Sequence, residues 1–212
     1  MLQNNIYTEN LIMKCHYHFK MTLLCLFLIL NLTKLRSQSK LAIVDKTVSF
    51  GMRATQLRNI DVIIVHSVYN ASGGDIYDID LIIRQFSRYH VSSHYVIGRE
   101  GTIYQLVKEK NVSFHAGQSS LPDGRMGANT CSIGIELMDS VGDAPTELQI
   151  RSLTALVKDI KTRYPIKYVL RHSDIAPGRK TDPWTMDWND FLRRIGDKNI
   201  FINFKIDSLQ KQ

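Results

Sequence analysis

Ile60-Asp61-Val62-Ile63-Ile64-Val65-His66 is a β-branched apolar run with a histidine at its end. Hydrophobicity this continuous predicts a strand buried on both faces. A second run, Ser132-Ile133-Gly134-Ile135-Glu136-Leu137, alternates instead: Ile133, Ile135 and Leu137 share one face, Ser132, Gly134 and Glu136 the other. Ser93 to Ile97 and Thr102 to Val107 flank the turn Gly98-Arg99-Glu100-Gly101, which predicts a hairpin. Ile166 to Arg171 is a further short strand, ending at His172. Between the strands the period changes. From Asp75 to His90, Ile76, Ile79, Ile82, Ile83 and Phe86 recur at helical spacing. After Pro145, Thr146 and Gln149 form a capping box; Leu148, Leu153, Leu156, Val157, Ile160 and Tyr164 make the buried face, and Pro165 stops the helix. Asp187 caps a last helix that buries Trp188, Phe191, Leu192 and Ile195. Strands interleaved with helices, a hairpin among them, predict an α/β fold: one domain with a central mixed β-sheet flanked by helices.

The chain of 212 residues, 44% apolar and 22% charged, is long enough for one real core with segments to spare and too apolar for global disorder. The start differs in character. Met21 to Leu30 reads as an apolar run, broken only by Thr22, behind Lys14 and Lys20, the pattern of a signal peptide and too short to span a bilayer comfortably. Small residues at Ser37 and Ser39 place cleavage after Ser39, so residues 1–39 are expected to be an export leader. Residues 40–59 follow as an extension without clear pattern, 60–195 as the functional domain and 196–212 as a tail. Beyond the leader only Cys131 remains, so no internal disulfide is possible and any metal site must use histidine and carboxylate. The formal charge is +7, of which three belong to the leader (Lys14, Lys20, Lys34 and Arg36 against Glu9). The remaining excess suits an anionic polymer. No dense basic stripe interleaved with aromatics is present, which argues against nucleic acid.

His66 and His172 each close an apolar strand, and Asp182 follows His172 by ten residues across a loop containing Pro177 and Gly178. Two imidazoles and a carboxylate suffice for a catalytic zinc that keeps its fourth position for water. Glu136 stands on a face otherwise made of small residues, where a carboxylate can work as a general base. Lys180 can aim an ammonium at a developing oxyanion. By spacing alone each has an ordinary alternative: a hydrogen-bonded structural histidine, an exposed sheet carboxylate, a solvated loop lysine. The long polar stretch from Asn111 to Thr130, around Phe114-His115-Ala116-Gly117, is of a length that usually serves function.

Arg171-His172-Ser173-Asp174-Ile175-Ala176-Pro177-Gly178-Arg179-Lys180-Thr181-Asp182-Pro183 resembles the signature loop of the type 2 N-acetylmuramoyl-L-alanine amidases, in particular their AmpD-like branch, relatives of the peptidoglycan recognition proteins. The other blocks of that family occur in order: Val65-His66-Ser67, Ser92 to Ile97, His115-Ala116-Gly117 and Ser132 to Leu137. The resemblance implies a mixed sheet flanked by helices with zinc in a surface groove, held by His66, His172 and Asp182. It puts the catalytic acid and lysine of the family at Glu136 and Lys180. His115 and Asn129 fall where substrate would be bound, with a structural hydrogen bond the alternative for His115; His94 reads as structural. The implied reaction is hydrolysis of the amide between N-acetylmuramic acid and L-alanine in peptidoglycan or muropeptides. A non-catalytic peptidoglycan-binding module and a zinc peptidase acting on another stem amide are the rivals. The expected setting is exported, periplasmic or extracellular, with membrane contact only through the leader and no obligate protein partner. Trp184 stands where the AmpD-like loop usually has glycine, and Phe114 replaces a tryptophan often found before the histidine.

Overall fold

The computed structural model describes residues 20–22 and 41–197. The chain divides into two compact units, residues 1–41 and 42–212. Of the first, 20–22 are helical; the apolar run beyond Thr22, the expected cleavage after Ser39 and the tail beyond 197 lie outside the described residues. Among the described residues no helix is long and apolar enough to cross a membrane.

The second unit is built on a mixed sheet of β1 (Ile43–Asp45), β3 (Val62–Val68), β4 (Tyr95–Ile97), β5 (Ile103–Gln105), β7 (Ser132–Met138) and β8 (Tyr168–Arg171). Their order is β1-β5-β4-β7-β3-β8, with β2 (Met52–Arg53) and β6 (Val112–Ser113) as a separate pair. The hairpin is present: β4 and β5 are antiparallel, while β1–β5, β4–β7, β7–β3 and β3–β8 are parallel. β3 and β7 are buried along their whole length, as expected of parallel strands covered on both faces. Part of the stretch read as an extension belongs to this sheet. β1 adds an edge strand to β5, and its three exposed residues carry no alternation to betray it.

Helix α1 spans Ile79–Tyr89 rather than beginning at Asp75. The Asp78 side chain accepts from the backbone of Asp80 and Leu81 and so fixes the start; Ile76 stays exposed. Ile82 and Phe86 pack with Val68, Val96, Leu106 and Met138, each such side chain contributing about 1.5–3 kcal/mol of burial. Helix α2 (Glu147–Arg163) carries the expected capping box of Thr146 and Gln149. Leu148 is not part of its buried face but 51% exposed, and Gln149 is buried in its place. The Gln149 amide donates to the carbonyls of Ile97 and Met138, so the helix start is pinned to two strand ends by polar contacts. α3 is one turn, His172–Ile175, and α4 spans Trp188–Ile195 behind an Asp187 cap, burying the four residues expected.

Candidate metal and catalytic centre

Three neighbouring parallel strands, β7, β3 and β8, bring the chemistry to one level. His66 in β3 is in register with Glu136 in β7, and Val65 with Arg171, the last residue of β8. His172 therefore emerges one step further along. His66 does not end its strand as the sequence suggested, since Ser67 and Val68 continue it: apolar β3 runs past the site to pack Val68 against α1. The loop after α3 returns Asp182 to the two histidines. The Ser173 amide donates to the Asp182 carbonyl at 3.0 Å, and the Trp184 amide to the Ser67 hydroxyl at 3.1 Å.

His66, His172 and Asp182 are all buried, and their ligand atoms lie within 4.8 Å of one another. His172 Nδ1 is 3.1 Å from Asp182 Oδ2 and His66 Nδ1 is 3.4 Å from the same atom. The other ring nitrogens point away, His66 Nε2 to His115 Nδ1 at 2.9 Å and His172 Nε2 to the Ala116 carbonyl at 3.2 Å. Burial lowers the His66 pKa to about 4 against the pull of Asp182, so the ring is neutral at ordinary pH. Burial opposes the charge of Asp182 too, but the His172 and His66 rings beside it hold its pKa well below the carboxylate range. Two imidazoles and one carboxylate whose ligand atoms converge in this way are suitable donors for a divalent metal ion.

The site opens into a cavity of about 220 Å³ whose walls include Phe86, Phe114, His115, Glu136, Lys180 and Trp184. Trp184 leans against Tyr69, ring centroids 5.8 Å apart. Burial first, and then the charge of Asp182, push the Glu136 carboxyl well above its ordinary pKa. Among the described residues nothing hydrogen-bonds that carboxylate. Lys180 is on the exposed loop. A second cavity of about 210 Å³ is lined by His115, His172 and Lys180 together with Gly117, Asn129 and Arg179. Asn129 Oδ1 accepts from the backbone amides of both His115 and Ala116, at 3.1 and 2.8 Å.

Two features went unread in the sequence. Gly134 leaves room not for the Glu136 carboxylate but for a ring: a Cβ there would lie 2.5 Å from His115 Cγ. Asp139, just past β7, is fully buried; neither carboxylate oxygen makes a hydrogen bond of normal geometry, and burial raises its pKa to about 7 against the weaker opposing influence of the nearby Ser67 hydroxyl. His94 is structural, its Nδ1 accepting from the Gly134 amide and its Nε2 lying 3.1 Å from the Asn111 carbonyl.

Comparison with known proteins agrees with this fold. A family model described as N-acetylmuramoyl-L-alanine amidase matches residues 56–185. The 1,6-anhydro-N-acetylmuramyl-L-alanine amidase AmpD of Citrobacter freundii is 42% identical over 104 residues, 48% of this chain and 55% of that protein. The N-acetylmuramoyl-L-alanine amidase AmiD of Escherichia coli K12 is 39% identical over 142 residues, 58% of this chain and 49% of its own. The chain thus spans about half the length of the curated relatives it matches. Among solved structures, a selenomethionine AmpD derivative matches with a TM-score of 0.61 at 30% identity, over 74% of this chain and 96% of that one. The E. coli AmiD complex with anhydro-N-acetylmuramic acid-L-Ala-D-γ-Glu-L-Lys gives 0.56 at 33% identity, over 69% of this chain and 62% of the other.

Proposed function

Because the chain belongs to the N-acetylmuramoyl-L-alanine amidase family, we propose that it hydrolyses the amide joining the lactyl group of N-acetylmuramic acid to L-alanine, in peptidoglycan or its fragments, with zinc as the metal. The observation that carries this reading is the convergence of His66 Nδ1 and His172 Nδ1 on Asp182 Oδ2, at 3.4 and 3.1 Å, in a cavity shared with Glu136 and Lys180. Zinc held by those three residues supplies Lewis-acid polarisation of the scissile carbonyl and acidifies water. Glu136, whose carboxylate no side chain occupies, takes a proton from the attacking water and returns it to the leaving amine. Its raised pKa suits both halves of that exchange. The Lys180 ammonium stabilises the oxyanion that forms as the carbonyl is attacked. His115 and Asn129 border the second cavity, which takes the remainder of the muropeptide; with Oδ1 of Asn129 committed to backbone, its Nδ2 donors serve the ligand. Residues 1–39 act as a leader that exports residues 40–212 to the periplasm or beyond, where the wall polymer lies.

Purified peptidoglycan digested with and without a chelator, followed by mass analysis, tests the reaction. A free lactyl carboxylate paired with a new L-alanine amino terminus, lost on chelation, is expected. New termini inside the stem peptide would make the protein a zinc peptidase, and binding without any product a recognition module. His172→Ala is expected to lose zinc and turnover together, read by metal analysis of the purified protein.

A further inference from the structure

We infer that His115 is a positioning residue that fixes His66 in the tautomer carrying its proton on Nε2, so that Nδ1 is presented to the metal. The inference rests on the metal-holding role proposed above. Its starting point is a hydroxyl remote from the ligands. Ser132 Oγ lies 2.6 Å from the Ala128 carbonyl, a separation at which a proton must sit between two oxygens. Serine has one hydroxyl hydrogen. Towards His115 Nε2, 3.1 Å away, Ser132 therefore accepts, and His115 carries its proton on Nε2. His115 Nδ1 is then a bare acceptor, and the 2.9 Å contact with His66 Nε2 places the proton on His66. A chain of three hydrogen bonds running from His66 to Ala128 thus leaves the His66 Nδ1 lone pair facing Asp182. His172 reaches the same state more simply, through the Ala116 carbonyl.

The chain is held in place from both sides. Asn129 Oδ1 ties down the amides of His115 and Ala116, so one amide side chain seats the ring that orients His66 and the carbonyl that orients His172. The missing side chain of Gly134 gives the His115 ring its seat. Partners that orient metal-bound histidines in this way typically contribute 10–100-fold in metal affinity.

The test is nitrogen-15 NMR of the histidine rings in zinc-loaded protein, combined with zinc affinity from chelator competition. His66 is expected to bind zinc through Nδ1 and to show a scalar coupling from Nε2 across the hydrogen bond to His115 Nδ1. His115→Ala should weaken zinc about 10–100-fold, and His115→Asn, whose Oδ1 can accept in the place of Nδ1, should recover most of it. Zinc on His66 Nε2, a proton on His115 Nδ1, or unchanged affinity in His115→Ala would each overturn the inference. Should His115→Ala fail to fold, the wild-type coupling decides alone. If wild type takes up no zinc, the ring of His115 still discriminates, since Ser132 and not the metal sets it. Nε2–H there would remove only the metal reading, and Nδ1–H would remove this one.

Discussion

Where β3 begins, Asp61 is gripped by Arg125 through two 3.0 Å hydrogen bonds and approached by Lys167 at 3.2 Å. Beside the first residue of β4, Glu109 is held by Arg163, Tyr95 and Tyr164. Towards the end of the neighbouring strand β7, Glu136 and Asp139 are likewise buried, with no hydrogen bond found to either carboxylate among the described residues. Both ends bury acids, but only one satisfies them. A saturated carboxylate keeps its charge and ties elements together, whereas an unsatisfied one has its pKa displaced toward neutrality and can exchange protons. The sheet thus separates a fastening end from a reactive region five residues further along, where His66 pairs with Glu136.

Substitutions at the reactive end should cut turnover and spare folding. Glu136→Gln is expected to lower kcat by about 10²–10⁴ without lowering the melting temperature, since it removes a buried carboxylate; kinetics on a muropeptide near wild-type values would break the contrast. Lys180→Ala should retain zinc yet lose about 10²–10³ in kcat, with metal content and rate measured on one sample. The fastening end should answer in the opposite currency. Arg163→Ala, which strips Glu109 of its cation while Tyr95 and Tyr164 remain, is expected to cost about 2 kcal/mol in urea denaturation and to leave kcat per folded molecule unchanged.

The smallest effect concerns pH. Burial disfavours the Glu109 charge, but the Arg163 and tyrosine hydrogen bonds outweigh it and its pKa is lowered; its contribution is full at neutral pH and lost as pH falls below the ordinary glutamate range. Asp139 has the reverse slope. With its folded pKa raised to about 7, the protein binds an extra proton between roughly pH 4 and 7, and stability declines as pH rises through that window. Asp139→Asn should flatten that decline and raise stability at pH 7 by about 1 kcal/mol, read from melting temperatures across the pH series.

How much of this was legible follows from how far apart the interacting residues stand in the chain. The Thr146–Gln149 box and the Asp187 cap are local hydrogen bonds, and both are where the sequence puts them. The hairpin was legible because its turn is written in glycines. The register of His66 with Glu136, seventy residues on, was not, because parallel pairing leaves no short-range mark; the motif likeness nominated those residues without saying that they face each other. Leu148 misled because apolar spacing alone does not show which side of the first turn meets the sheet, while Gln149 was overlooked as a buried residue because its burial depends on two distant carbonyls. The seating of His115 had one signal, a glycine in the middle of an otherwise good strand, which marks close approach of another group.

Arg58 sits upstream of β3, half-buried, and its guanidinium donates to the carbonyls of Glu109, Asn129 and Ser132. Two of those carbonyls belong to Asn129 and Ser132, which seat the histidine relay, so a residue outside every strand and helix helps hold the proposed metal centre together. A practical boundary follows: any shortened version intended to keep the metal centre must begin before residue 58, because trimming to the first core strand would remove the clasp along with the edge of the sheet.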